Sequence, residues 1–314
     1  MREAMTKAGK WFGRILLAAC VLPGAALASS LLPWENTRSY YEIVSHNDVD
    51  YRVAIIKPKN LKDGAPAVIV IHYNDGNAAA MANLTEVGEL ARDQGALVVL
   101  PEAPGNVWQI DPNGTPDRDD MGFLNDLIGH IVHKYNVDSD RIYMTGYSQG
   151  GYLTTRFACE FPGKIAAGAS VAATMRKSVY DVCAPSKGTP MMFIHGTADD
   201  QIPYDPNLLQ EELRVIFGNQ AVSAPDAAKF WATTDGCDLT PVQSQVPDIV
   251  DDGTHTTIDH YGGCDHGAAV ELYSVVDGGH SWPGAMDFIP RVGLTSQDFR
   301  AQQAMWQFFR QFHR

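Results

Sequence analysis

The chain has 314 residues, of which 45% are hydrophobic and 19% charged, a composition typical of globular proteins and not of disordered ones. Lys and Arg number 24 against 37 Asp and Glu, so the formal net charge is −13. Because binding to nucleic acid requires basic surface that neutralises phosphates, this charge argues against nucleic acid as a partner.

The N-terminus has the pattern of an export signal. Basic residues precede an apolar run at 15–28, which ends in Ala-Leu-Ala, a small-x-small cleavage sequence. The run is shorter than the roughly 20 residues that span a bilayer. We therefore predict a signal peptide over 1–28, a single domain over 29–314, no transmembrane segment, and a secreted or periplasmic location. An alternative is a lipoprotein, since "LAAC" resembles a lipobox that would lipidate Cys20.

Export changes what the remaining cysteines imply. An even number of cysteines in an oxidising compartment suggests two disulfides. Three pairings are possible, and we favour the pairing in which each bond brackets a continuous segment. Its bonds are Cys159–Cys183 and Cys237–Cys264. No C-x-x-C or H-x-x-x-H spacing supports a zinc site, and no metal is predicted.

The first elements in chain order predict a hairpin followed by buried strands. Residues 40–58 suggest two antiparallel strands around an Asn-Asp turn. The apolar runs at 65–73 and 96–104 are typical of strands buried on both faces. The intervening stretch at 78–95 suggests one helix that ends at Gly95.

The later elements continue to alternate. Asp119 or Asp120 can cap a helix, and further strands are predicted within "RIYMTGY", "IAAGASVAA", "PMMFIHG" and 269–277. A last helix presents an apolar face made of Met305, Phe308, Phe309 and Phe312. Segment 205–265 has weaker periodicity and is expected to contain loops or a small insertion. This alternation predicts an α/β fold, a mostly parallel sheet with helices on both faces.

The stretch "YMTGYSQGGYL" carries a candidate nucleophile. Ser148 lies between Gly146 and Gly150 in a G-x-S-x-G pattern, with a predicted strand before it and a predicted helix after it. Glycines at these two positions let the strand and the helix approach closely around a strained turn. We therefore predict that the turn exposes the Ser148 hydroxyl, with the Gln149 backbone N–H available to a developing oxyanion.

A serine nucleophile needs a base and an acid that orients the base. His280 follows the strand at 269–277 directly, in the loop "DGGHSWPG", and is the preferred base. The other histidines after the serine lie in less suitable settings: His195, His255, His260, His266 and His313. Asp199 and Asp200 both follow the strand "PMMFIHG", so spacing alone leaves the acid open between them.

Other candidate residues surround these three. The loop "HYNDGN" after the strand at 65–73 offers the backbone N–H of Tyr73 or Asn74 as the second oxyanion donor. Trp108 and Trp282 lie in loops near the same edge and are candidates for a substrate groove. The acidic stretch at 111–120 lacks the ligand spacing of a calcium loop and is interpreted as a solvated loop.

Taken together, these motifs resemble the secreted esterases grouped around polyhydroxybutyrate depolymerases and feruloyl esterases. The similarity extends from about residue 50 to the end and includes "MTGYSQGGYL", "HGTADDQIPY" and "GGHSWPG". The resemblance implies the α/β-hydrolase fold, no cofactor, Ser148 as nucleophile and His280 as base. It assigns the acid to Asp199 and supports the two disulfides. One departure is Tyr73, which stands where the family usually has glycine.

The sequence thus predicts a secreted serine esterase that forms an acyl-enzyme on an ester substrate. Two alternatives remain: a peptidase or other acyl hydrolase on the same fold, and a non-catalytic polysaccharide-binding homologue. The acyl group, the alcohol and the oligomeric state are left open.

Overall fold

A computed structural model describes residues 30–112, 118–210, 220–286 and 292–314. The predicted signal peptide and Cys20 lie outside these ranges. The described residues form a ten-stranded, mostly parallel sheet with helices on both faces, which is the predicted α/β architecture. Buried apolar strands alternate with amphipathic helices because each helix covers the sheet between two parallel strands.

The sheet has the strand order β1-β2-β4-β3-β5-β6-β7-β10-β9-β8. Six central strands are parallel, and an antiparallel pair lies at each edge. The strands are β1 (Thr37–His46), β2 (Val49–Pro58), β3 (Ala67–Ile71), β4 (Leu97–Pro101), β5 (Ile142–Tyr147), β6 (Ala167–Val171), β7 (Met191–Gly196), β8 (Val242–Gln245), β9 (His255–Tyr261) and β10 (Val270–Val276).

Helices cover both faces of this sheet. They are α1 (Ala78–Thr85), α2 (Gly88–Gln94), α3 (Asp120–Tyr135), α4 (Gln149–Glu160), α5 (Lys177–Tyr180), α6 (Ala224–Thr234) and α7 (Ala301–Phe309). Asp119 caps α3 by accepting a hydrogen bond from the Gly122 N–H. The prediction of one helix over 78–95 was wrong. The helix breaks at Glu86, which adopts the left-handed conformation with φ 53°.

The core lies in two layers, one on each side of the sheet. Alternate residues of β3 face opposite layers, with Ile69 and Ile71 in one and Val68 and Val70 in the other. All five residues of β3 are fully buried, which explains its unbroken apolar sequence. The predicted apolar face is confirmed for Met305, Phe308 and Phe309 of α7, which pack into the second layer together with Phe312, three residues beyond the end of the helix.

Two further predictions concern the cysteines and the segment 205–265. Both favoured disulfides are present, Cys159–Cys183 and Cys237–Cys264. Segment 205–265 contains loops as predicted, and between them the described residues form α6, β8 and β9. β8 is exposed at all four residues, so it lacks the apolar alternation by which a strand is predicted from sequence.

Within the described ranges, no helix is long and apolar enough to cross a membrane. Nor do those residues contain a group of three or more His, Cys, Asp or Glu side chains arranged to hold a metal ion.

Candidate active site

The strand–turn–helix predicted around Ser148 is present. β5 ends at Tyr147, α4 begins at Gln149, and Ser148 lies between them with φ 56° and ψ −118°. A positive φ is costly for a residue with a side chain and persists only where the surrounding structure enforces it. Here the enforcing contacts include a hydrogen bond from the Ser148 N–H to Val171 O on β6 (2.9 Å).

Glycines make this turn possible by letting backbones come very close. A Cβ at Gly146 would clash with the backbone of Gly150, and a Cβ at Gly150 would clash with the carbonyl of Ile71 on β3. A Cβ at Gly151 would meet the Ser170 hydroxyl. The glycines of the G-x-S-x-G pattern are therefore required by the close packing of α4 onto β3 and β5.

Ser148, His280 and Asp199 form a continuous hydrogen-bonded chain. His280 Nε2 lies 2.8 Å from Ser148 Oγ, and His280 Nδ1 lies 2.8 Å from Asp199 Oδ2. Asp199 and His280 are buried, whereas Ser148 is partly exposed to solvent. Asp200, the rival acid, is exposed. This geometry is what a serine nucleophile, a general base and an orienting acid require.

Asp199 is a buried carboxylate surrounded by donors. Its Oδ1 accepts hydrogen bonds from the backbone N–H groups of Gln201 (2.9 Å) and Ile202 (2.8 Å). Its Oδ2 faces His280 and, at 3.3 Å, the Nε2 of His195. Burial raises the pKa of this carboxyl, but the hydrogen bonds from the two histidines outweigh it and hold the pKa well below its usual range.

The loops that carry the acid and the base are bonded to each other. The Ala198 N–H donates to Gly278 O (2.9 Å), and the Thr197 N–H donates to Val275 O (2.9 Å). A Cβ at Gly196 would clash with the carbonyls of Gly278 and Gly279, so glycine at the end of β7 permits this contact. Parallel pairing of β7 with β10 therefore brings Asp199 and His280 together across 81 residues of sequence.

The loop after β3, predicted to supply an oxyanion donor, is held by His72. The Ala103 N–H donates to His72 Nε2 (3.0 Å), so the proton of the neutral ring is on Nδ1, which donates to Tyr73 O (2.7 Å). Burial lowers the pKa of His72 to about 4, and the ring stays neutral at ordinary pH. Tyr73 and Asn74 both line a cavity beside Ser148. Their role as oxyanion donors stays a prediction.

Gln149 contributes its side chain as well as its backbone. Its Oε1 accepts a hydrogen bond from the Trp108 N–H (2.8 Å), and its Nε2 lies 3.4 Å from Asn74 Oδ1. The residue after the nucleophile therefore connects the loop after β4 to the loop after β3. Because its backbone N–H belongs to the first turn of α4, it has no acceptor within the helix. That N–H is available to an oxyanion.

Two cavities meet at Ser148 and His280. One, of about 220 Å³, is largely apolar, and the other, of about 380 Å³, carries more polar groups, including Arg176, Gln201 and Gln220. The apolar cavity is lined in part by Tyr73, Leu84, Tyr147, Trp282, Ala285, Met286 and Val292. Trp282 lines this cavity although its side chain is only 1% exposed, and its role in a substrate groove stays a prediction.

The prediction for Trp108 needs correction. Its side chain is 2% exposed, belongs to the core and packs on the His72 ring with centroids 5.1 Å apart. It does not line either of the two cavities at Ser148. From sequence, a tryptophan in a loop at the carboxyl ends of the strands is a plausible groove residue. In the structure, Trp108 is instead buried against His72.

Sequence reasoning missed three supporting groups: the His72 ring, the Gln149 side chain and the contact of His195 with Asp199. His72 and His195 had a usable signal, since each lies at or just past the end of a buried strand, where side chains meet at the sheet's carboxyl edge. Gln149 had none, because its side-chain partners lie on loops 41 and 75 residues away.

Comparisons with known proteins show which sequences and folds the chain resembles. A family model described as Phospholipase/Carboxylesterase matches residues 106–222, which include Ser148 and Asp199. The chain is 27% identical over 232 residues to a putative esterase, NocK, of Nocardia uniformis subsp. tsuyamanensis, covering 71% of this chain and 67% of that protein. It is 29% identical over 241 residues to feruloyl esterase B of Piromyces equi, covering 73% of this chain but only 42% of that protein.

A solved structure gives the same fold. The acetyl xylan esterase of Aspergillus awamori superposes with a TM-score of 0.60 at 16% identity, covering 87% of this chain and 99% of that one. At this identity the likeness speaks for the fold alone. The chain therefore has the α/β-hydrolase fold, and its sequence is similar to those of esterases.

Proposed function

We propose that the chain is a secreted serine esterase that hydrolyses carboxylic esters through an acyl-enzyme. The observation that carries the proposal is the hydrogen-bonded chain from Ser148 Oγ through His280 to Asp199, at 2.8 Å for each link. Its nucleophile borders two cavities that can hold the two sides of an ester bond.

The geometry implies the following steps. His280 Nε2 takes the Ser148 proton as Oγ attacks the ester carbonyl, and the resulting imidazolium is stabilised by Asp199 through Nδ1–H. The Gln149 N–H, with that of Tyr73 or Asn74, stabilises the tetrahedral oxyanion. His280 then protonates the departing alcohol, and water, activated by the same base, releases the acid from Ser148.

We further propose that the substrates are esters of aromatic or acetyl groups on a polysaccharide, with the acyl group in the apolar cavity beside Tyr73 and Trp282. The support comes from two relatives by sequence, the feruloyl esterase of Piromyces equi and an acetylxylan esterase of Emericella nidulans, and from the aromatic lining of that cavity. Secretion is supported by the two disulfides, which persist in oxidising compartments, and by the predicted signal peptide over 1–28. We take 29–314 as one catalytic domain.

The first test is kinetic. Purified protein should hydrolyse p-nitrophenyl acetate, and Ser148→Ala should lose about 10⁶-fold in kcat, since the nucleophile and base act as a unit. Strong hydrolysis of p-nitroanilide amides with negligible esterase activity would instead indicate a peptidase. A folded protein inactive on both would indicate a binding homologue.

The second test concerns the substrate. Product analysis on feruloylated arabinoxylan, acetylated xylan and polyhydroxybutyrate should show released ferulate or acetate. Release of hydroxybutyrate alone would reject the polysaccharide proposal while leaving the serine esterase proposal intact.

A further inference from the structure

A second buried histidine contacts the carboxylate that orients the base. His195, the penultimate residue of β7, has its Nε2 2.8 Å from Ile202 O and 3.3 Å from Asp199 Oδ2. Its side chain is fully buried. Both histidines therefore approach the same carboxylate oxygen, His280 from the loop after β10 and His195 from within β7.

The contacts fix the tautomer of His195. Because a carbonyl oxygen can only accept, the bond to Ile202 O places a proton on Nε2. The Nε2–H is bonded to Ile202 O, and the same nitrogen lies 3.3 Å from Asp199 Oδ2. Nδ1 is buried and has no hydrogen-bond partner among the described residues, so a second proton there would lack an acceptor. His195 is therefore neutral, and its Nε2–H lies beside Asp199.

We propose that His195 is a positioning residue for Asp199, and the inference rests on the esterase function proposed above. Its Nε2–H fixes the rotation of the carboxylate about its side-chain bond, so that Oδ2 stays directed at His280 Nδ1. The bond to Ile202 O closes the loop whose N–H groups bind Oδ1. Four donors then hold one buried carboxylate in a single orientation.

A purely structural role is the competing explanation. The His195 ring packs edge-on against Tyr204 at 5.8 Å, and Tyr204 in turn bonds Ser274 (2.7 Å). Two variants separate the roles. His195→Leu fills similar space without a donor, whereas His195→Gln carries an amide N–H that reaches about as far as Nε2.

We expect His195→Leu to lower kcat on p-nitrophenyl acetate by about 10- to 100-fold with little change in KM. Losing the donor leaves the Asp199 charge less dispersed, and this charge holds a proton on His280 more tightly. The acidic limb of the kcat/KM profile should therefore move to higher pH. His195→Gln should restore most of kcat and the wild-type limb.

The other titratable groups that face Asp199 do not contribute to the acidic limb of the pH profile. Besides the two histidines, the phenols of Tyr147 and Tyr152 interact electrostatically with Asp199. Their pKa values are raised above normal, chiefly by burial. Both phenols are neutral across the acidic limb.

Thermal unfolding of both variants accompanies the kinetics. Equal losses of kcat in the two variants, with an unshifted pH profile, would overturn the proposal in favour of packing, and so would full activity in His195→Leu. Both outcomes require an active wild-type enzyme. If the wild type neither hydrolyses esters nor reacts with a fluorophosphonate at Ser148, the proposed function fails, and with it the inference that rests on it.

Discussion

Two buried aspartates lie at opposite ends of the parallel strands, and the structure shifts their pKa values in opposite directions. Asp199, at the carboxyl edge, and Asp235, at the amino edge, are each 5% exposed. Asp199 has four donors around it, and its pKa is lowered. Asp235 Oδ2 has no hydrogen-bond partner among the described residues, and burial followed by the charge of Asp265 raises its pKa to about 7. Donors, not burial, decide the charge state.

The setting of Asp235 opposes its negative charge. It follows the last residue of α6, where the helix dipole is negative, and its own carbonyl accepts the Asp265 N–H (2.8 Å). It lines a cavity of about 490 Å³, and Asp265 lines the same cavity. The amino edge thus holds a carboxyl group that is protonated over much of the acidic range. The carboxyl edge holds one that stays ionised.

Of the changes that test this comparison, we expect the largest effect from removing the charge of Asp199. Asp199→Asn should lower kcat by about 10⁴-fold, because the amide can donate to His280 Nδ1 and favour the wrong tautomer. Steady-state kinetics on p-nitrophenyl acetate measure this loss. The matched control is Asp200→Asn, an exposed neighbour that should keep wild-type kcat. Comparable losses in the two variants would contradict the assignment of the acid.

A smaller effect is expected where a neutral histidine holds the loop after β3. His72→Leu should lower kcat by about 10- to 100-fold, since it frees Tyr73 O and loosens a candidate oxyanion loop. His72→Asn keeps a short donor near the place of Nδ1 and should lose less. Kinetics on a shared ester panel compare the two. Wild-type kcat in His72→Leu would show that the loop needs no such support.

For Asp235, which lacks donors at Oδ2 among the described residues, we expect the effect of substitution on thermal stability. Asp235→Asn removes a charge that the fold disfavours, so it should raise Tm at pH 8 by about 2–4 °C for each kcal/mol regained. At pH 4, where the carboxyl is protonated in the folded protein, the gain should be small. Differential scanning calorimetry at the two pH values tests this, and a lower Tm at pH 8 would contradict it.

The pH dependence of wild-type stability follows with a definite sign. The pKa of Asp235 is raised from 3.8 to about 7 on folding, so the unfolded chain loses this proton first. Its contribution to the free energy of unfolding therefore falls as pH rises from about 4 to about 7. Asp265→Asn should make this fall shallower, because it removes the neighbouring charge, and Tm measured across the range would show it. An unchanged slope would mean that Asp265 does not act on Asp235.

Much of this arrangement could be predicted from sequence. The apolar runs of β3 and β4 and the G-x-S-x-G turn give local signals, and strand ends place Ser148, Asp199 and His280 at one edge. The choice of Asp199 over Asp200 depends on which side chain turns inward, and spacing does not encode that. The burial of Trp108 and the bridging by Gln149 depend on how distant loops fold back. The environment of Asp235 likewise arises from residues far apart in sequence.

The central claim is that Ser148 is the nucleophile of a serine esterase, and covalent labelling tests it most directly. Folded protein is treated with a fluorophosphonate, digested and analysed by tandem mass spectrometry, while residual hydrolysis of p-nitrophenyl acetate is followed in parallel. The account predicts one adduct, on Ser148, formed in step with the loss of activity. Hydrolysis that continues while Ser148 stays unmodified would contradict it.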